Sequence, residues 1–303
     1  MIELLKKTNI NFMGRKYYAL IFSGIIFVLG IIAVVQIARG TANLGIDFTG
    51  GTAVRIKFEK PFVLHDVRGA LEEGGLKDFD LQDMPVEKKI LIRVKKEEEK
   101  LGGFSEKIVS ILSQRFTDQK LIVESTTEIG PKVGERLRRD ALWAIIAATA
   151  GLLIYIAFRF QVRFGIGATV ATLHDVLAVL ALFYILNREI NLVIVAALLA
   201  IAGYSLTDSV VVFDRIRENL KARLREPVEV VVNQSINEVL SRTIITSLTT
   251  LLAALALFFL GGEVIHDFAL AIIIGILVGT YSSVFIASPI VLLWRGKRPF
   301  AKK

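Results

Sequence analysis

Cysteine is absent from the 303-residue chain, which removes disulfides, thiolate catalysis and Cys-ligated zinc or iron. Histidine is scarce. His65, His174 and His266 stand far apart, with none of the short spacings of a metal site. Charge is scarce as well: 22% of the residues are charged against 53% hydrophobic, too few to coat one large globule, which argues against a soluble single domain. The basic surplus of +8 has to be located before it is read as affinity for nucleic acid.

What is present is apolar and comes in long runs. Crossing a bilayer takes roughly 20 apolar residues at the helical rise. Six stretches qualify: 17–38, 141–158, 164–187, 190–213, 243–262 and 268–294. The first is too long for the core of a signal peptide and is expected to remain as a helix. Orientation follows from Lys and Arg in the short segments. Residues 1–16, 159–163, the 214–242 connection and the 295–303 tail are rich in them, whereas the short loops on the other side hold only Arg188. Both termini and 214–242 are therefore expected in the cytoplasm, and 39–140 outside. The outer segment balances 19 basic against 18 acidic residues, so the surplus is a topology signal and nucleic-acid binding loses its support.

The outer segment alternates in period. After Gly45-Ile-Asp-Phe-Thr-Gly-Gly51 comes a strand-like Thr52–Phe58, then a helix with Leu64, Val67, Ala70 and Leu71 on one face, stopped by Gly74-Gly75. Strands at 79–84 and 89–95, a helix through Ile108, Ile111, Leu112 and Phe116, and a strand at 120–127 complete the order βαββαβ. The fold class is thus a six-helix polytopic membrane protein with one external α+β ferredoxin-like domain. The 214–242 connection, with Val228, Val231, Val232, Ser235, Ile236 and Val239 at helical spacing, reads as amphipathic: a helix at the membrane surface or a linker packed under the bundle.

An ionisable group at bilayer depth costs about 3 kcal/mol or more unless it is paired or hydrated. His174 and Asp175 lie at the middle of the third span, and Asp208 lies near the cytoplasmic end of the fourth. Arg242, at the mouth of the fifth span, is the nearest cation to Asp208 in the sequence. Tyr204 and Ser205 share the face of Asp208. Thr246, Thr249 and Thr250 continue a stripe from Arg242, and Thr172 and Ala168 share one with Asp175. Ala196/Ala200 and Gly275/Gly279/Ser283 are small-residue stripes suited to close helix approach. Such carboxylates either carry protons, as a helix movement switches their surroundings, or only hydrogen-bond neighbouring helices. His174 is equally a relay or a packed neutral ring. Glu263, His266 and Asp267 read as a solvated helix cap, and the Gly45–Gly51 run, taken alone, as a turn.

Several ordered motifs resemble the SecF family of the bacterial protein-export machinery. They are Gly45–Gly51, Ile129-Gly-Pro-Lys-Val-Gly134, Leu173-His-Asp175, Gly203-Tyr-Ser-Leu-Thr-Asp208 running on to Asn219, Ser241-Arg-Thr243, and Gly279–Pro289. The resemblance covers nearly the whole chain. It implies a non-enzymatic subunit of the cytoplasmic membrane that pairs with SecD beside the SecYEG channel. There it would use the proton gradient, with no cofactor beyond the proton, to promote late preprotein translocation and release on the outer side. It gives Asp208 the role of proton carrier and Arg242 that of its cation. It also marks Asp175 and His174 as a motif of the relay, and Gly45, Asp47, Gly50 and Gly51 as a motif at the external membrane face. The alternatives are a scaffold without proton coupling and a small-molecule or lipid exporter of the resistance-nodulation-division superfamily, in which the resemblance also places the chain. SecD itself would carry a much larger external segment.

Overall fold

The structure is a computed structural model that describes residues 8–76, 79–84, 88–94, 103–159 and 162–293. The 295–303 tail, Lys6, Lys7 and Lys95, read above as cytoplasmic ends and a strand end, lie outside the described residues, as does the side chain of Glu263. The chain divides into two compact units, 44–143 and the remainder.

In the first unit a short helix α2 (Ile46–Thr49) leads into β1 (Gly51–Phe58), α3 (Leu64–Glu73), β2 (Phe79–Met84), β3 (Lys89–Val94), α4 (Phe104–Arg115) and β4 (Leu121–Ile129). The sheet is antiparallel throughout, in the order β2-β3-β1-β4, which realises the expected βαββαβ pattern. Alternation decides which face is buried. Val54, Ile56 and Phe58 of β1 and Ile90 and Ile92 of β3 pack against Val67 and Leu71 of α3 and Ile108 and Leu112 of α4. Phe58 closes this core between Phe62 and Phe116, at centroid distances of 4.3 and 5.3 Å. One bulge interrupts the pairing of β1 with β4 between Arg55 and Ile56.

Six helices among the described residues are long and apolar enough to cross a membrane, all in the second unit except the first part of the second helix, 131–143, which belongs to the first unit. They lie within α1 (Lys16–Ala38), α5 (Pro131–Arg159), α6 (Val162–Ile185), α7 (Leu192–Ala222), α8 (Val228–Leu260) and α9 (Glu263–Ser282), the last continued by a π-helical turn (Ser283–Ala287) and α10 (Ser288–Leu293). Local chemistry sets their ends. Proline is the first residue of α5, where its missing N–H is not needed. Asn187, at φ 49°, turns the chain after α6 in a left-handed conformation that asparagine tolerates. Asn191 caps α7 by accepting the Ile194 N–H at 3.1 Å.

The 214–242 connection is not a separate surface helix. At about 1.5 Å per residue, the 33 residues of α8 reach about 50 Å, well past a hydrocarbon core about 30 Å thick. The helical ends therefore overhang, and α7 and α8 form a hairpin around the turn 223–227. Ile216, Leu220, Val231, Val232 and Ile236 fill its apolar side. On its polar side Glu238 accepts from Arg215 (2.5 Å), Asn219 (2.7 Å) and Arg223 (3.0 Å). A strap before α1 docks on the same hairpin: Asn233 accepts the N–H groups of Phe12 and Met13, and Asn237 that of Ile10. Buried shares are largest in α6, α7 and α9 and smallest in α1, α5 and α8, so the first three are the inner helices.

Candidate functional site

The inner helices meet where glycine and serine let them. A Cβ on Gly275 of α9 would stand 2.5 Å from Ile201 of α7, and one on Gly279 would touch Asp175 and Ser205 at 3.6 Å. The Gly275/Gly279/Ser283 stripe is thus a close-approach seam, whereas Ala196 and Ala200 are exposed. Asp175 is fully buried in this seam. Its Oδ1 lies 3.1 Å from Nδ1 of His174, and its Oδ2 accepts hydroxyls of Ser205 on α7 (2.5 Å) and Ser282 on α9 (2.7 Å). Three helices are therefore tied through one carboxylate. With the His174 proton on Nδ1, all three groups donate, which suits the ionised acid.

Asp208 follows Ser205 by three residues on the same face of α7, about 4.5 Å along the axis. It is buried, with Thr243 of α8 and Ser283 beside it, yet its Oδ2 has no hydrogen-bond partner. A buried acceptor left unmet costs about 1–3 kcal/mol, and here the two carboxylates differ: both oxygens of Asp175 have partners, whereas Oδ2 of Asp208 has none. Ser282 and Ser283 follow Gly279 by three and four residues, the same face of an α-helix, and both are buried where α9 passes into the π turn, in which Ser288 donates back to the Ser283 carbonyl.

Other expected members lie elsewhere. Arg242 is exposed, and among the described residues no ion pair joins it to Asp208. Thr246, Thr249 and Thr250 bond carbonyls of their own helix, and Tyr204 donates to Ser247 of α8 at 3.1 Å instead of facing Asp208. Ser247 also bonds Thr280 of α9 at 2.7 Å, a link between helices that the sequence reading missed. Asp267 pairs with Arg188 at 3.3 Å, which ties the loop before α7 to the start of α9; His266 lies 3.4 Å from the same carboxylate.

In the other unit, Gly45 precedes α2, and Asp47 lies in its first turn. Gly50 and Gly51 have φ values of 69° and 134°. A Cβ on Gly51 would stand 2.4 Å from the Val94 carbonyl oxygen, and one on Gly134 2.8 Å from the Gly50 nitrogen. Two separate glycine motifs therefore meet backbone to backbone, which requires residues without side chains.

Residues 109–297 match the family described as "Protein export membrane protein SecD/SecF, C-terminal", and residues 42–62 match the SecD/SecF GG motif. The protein translocase subunit SecF of Thermodesulfovibrio yellowstonii is 61% identical over 305 residues, covering all of both chains. The chain belongs to the SecF family. The SecF of Endomicrobium trichonymphae is 42% identical over 98% of this chain and 94% of that one. The crystal structure of SecDF from Thermus thermophilus matches with a TM-score of 0.83 at 40% identity over 96% of this chain. This chain spans 39% of that longer protein. Family and helices together make the protein a multi-pass membrane protein. The SecD/SecF GG motif match takes in α2, the Gly50-Gly51 turn and all of β1. Sequence reasoning located Asp175, His174 and Asp208 because charge stands out in an apolar run. It missed the roles of Ser282, Ser283, Thr243 and Ser247, since a serine or threonine in a membrane helix costs little and carries no such signal.

Proposed function

We propose that this chain pairs with SecD in the cytoplasmic membrane, beside the SecYEG channel, and couples proton movement to late preprotein translocation and release on the outer side. The observation that carries the reading is the pair of buried carboxylates between α6, α7 and α9, one satisfied and one not, in a member of a protein translocase family. A buried acid with an unmet oxygen gains from taking up a proton, and losing it again restores the cost, so occupancy can be tied to helix position. Asp208 is the carrier in this reading and Asp175 its neighbour, with His174 attached. Arg242 is the cation that meets Asp208 in another conformation of the cycle. The proton is the coupling ion, and neither a cofactor nor a catalytic reaction is needed. The SecDF fusion in Thermus thermophilus, of which this chain spans about two-fifths, supports SecD as the partner. The Lys and Arg bias supports cytoplasmic termini with 39–140 outside.

The test is preprotein release from sealed inverted vesicles holding this protein and SecD, with and without a proton gradient. Asp208→Asn and Arg242→Gln should lose the gradient-dependent part and keep the remainder at normal protein levels. Equal gradient responses in wild type and both variants would leave the scaffold reading, in which Asp175 and Asp208 only hold helices together.

A further inference from the structure

His174 is 2% exposed, and its Nδ1 faces Asp175, but Nε2, at the opposite edge of the ring, has no hydrogen-bond partner. The same side chain lines a crevice of about 450 Å³ between α1, α6 and α9. Along α6 the lining runs from His174 through Ala178 to Ile185, eleven residues or about 16 Å of rise, and Ile185 is 57% exposed at the far end. Phe22 and Leu29 of α1 and Leu277 and Tyr281 of α9 supply the other walls. Tyr281 is the other polar side chain on the wall, and its hydroxyl is already bonded to Ser23 and to the Ala19 carbonyl. The α1 lining brings no ionisable group; on the bundle side Asp175 contacts His174, and Asp208 lies beyond Ser205.

We propose that this crevice is the outward-facing proton port of the chain, and that His174 hands the proton from it to Asp175. The proposal rests on the coupling and the orientation put forward above, in which the Ile185 end of α6 faces outward. Hydronium from the outer aqueous phase is the donor and leaves as water. A new N–H bond forms at Nε2, the N–H bond at Nδ1 breaks, and an O–H bond forms on Oδ1 of Asp175. Histidine returns to its neutral charge and the carboxylate becomes a carboxylic acid. Once the acid has passed its proton inward, the ring turns Nδ1 toward the wetted crevice, where a water takes the proton from Nε2 and one is given to Nδ1, which restores the starting tautomer. The apolar walls serve the same end. A water needs two or more polar partners to stay, so the crevice is dry at rest and wets only when α1 or α9 shifts, which limits proton leak.

The naturally Cys-free chain allows a direct test. In right-side-out vesicles with SecD, Ala178→Cys and Ile185→Cys should both react with a membrane-impermeant maleimide added outside, Ala178→Cys more slowly and only under a gradient. Labelling of Ala178→Cys from the inner face alone, or in neither condition, would overturn the port. In inverted vesicles, Ala178→Phe, which fills the crevice without touching the carboxylates, should reduce gradient-stimulated release on the order of tenfold. His174→Gln, which keeps a hydrogen-bonding group beside Asp175 but cannot relay, should do the same with thermal stability preserved. Normal gradient-stimulated release in both variants would also overturn it. Should Asp208→Asn retain the gradient response, the coupling reading falls with the port. Should Asp208→Asn lose the response while Ala178→Phe and His174→Gln keep it, only the port falls.

Discussion

Gly51 combines a backbone angle of 134° with a carbonyl oxygen 2.4 Å from where a Cβ would stand. Gly51→Ala should therefore lose about 3 kcal/mol or more through strain and overpacking. Gly69→Ala in α3, where nothing lies within 4 Å, should gain up to about 1 kcal/mol from helix propensity. Thermal unfolding of the detergent-solubilised protein measures both, and equal shifts would mean that the glycine turn tolerates a side chain. At Asp175, Ser205→Ala and Ser282→Ala should each cost about 1.5–3 kcal/mol, because each removes a donor to a buried carboxylate. They share one oxygen, so the double variant should depart from additivity by about 0.5 kcal/mol or more. Strict additivity would show that the two hydroxyls act independently. Single charges were legible in the sequence because an ionised group in an apolar run needs a reason. The partners Ser282 and Thr243 were not, because a serine or threonine in a membrane helix costs little and carries no such signal.

Among the elements, those with a regular period were legible. The Val67/Leu71 and Ile108/Leu112 faces of α3 and α4 and the alternation of β1 and β3 place the core as the sequence suggests. Helix lengths were less so. Hydropathy marks where a helix enters lipid and not where its hydrogen bonds stop, so α5 begins ten residues before its apolar stretch, and α7 and α8 overhang theirs. The resulting hairpin rests on Glu238, which faces Arg215 and Asn219 of the opposing helix and Arg223 of the turn. Glu238→Ala should lose about 1–3 kcal/mol and speed tryptic cleavage after Arg223 and Arg225 in the turn. An unchanged cleavage rate would assign the hairpin's stability to its apolar side alone.

For the whole molecule, the distribution of Lys and Arg separates two aqueous faces. A single cysteine replacing Ser125 of β4 should react with an impermeant thiol reagent only from the outside of sealed vesicles, and one replacing Arg225 only from the inside. The reverse pattern, or labelling of both from one side, would refute the proposed orientation and remove the direction from the proton port.

The strap on α8 also sets a clock. Phe12 finds its partner Asn233 only 221 residues later in the chain, so the first helix is made long before the strap that precedes it has anything to dock on. At about 5–20 residues per second, the strap waits roughly 10–45 s of synthesis, during which its apolar Phe12 and Met13 are open to water, lipid or a chaperone. Synthesis of the first turns of α8, which carry Asn233 and Asn237, rather than completion of α1, is the event that lets the strap dock.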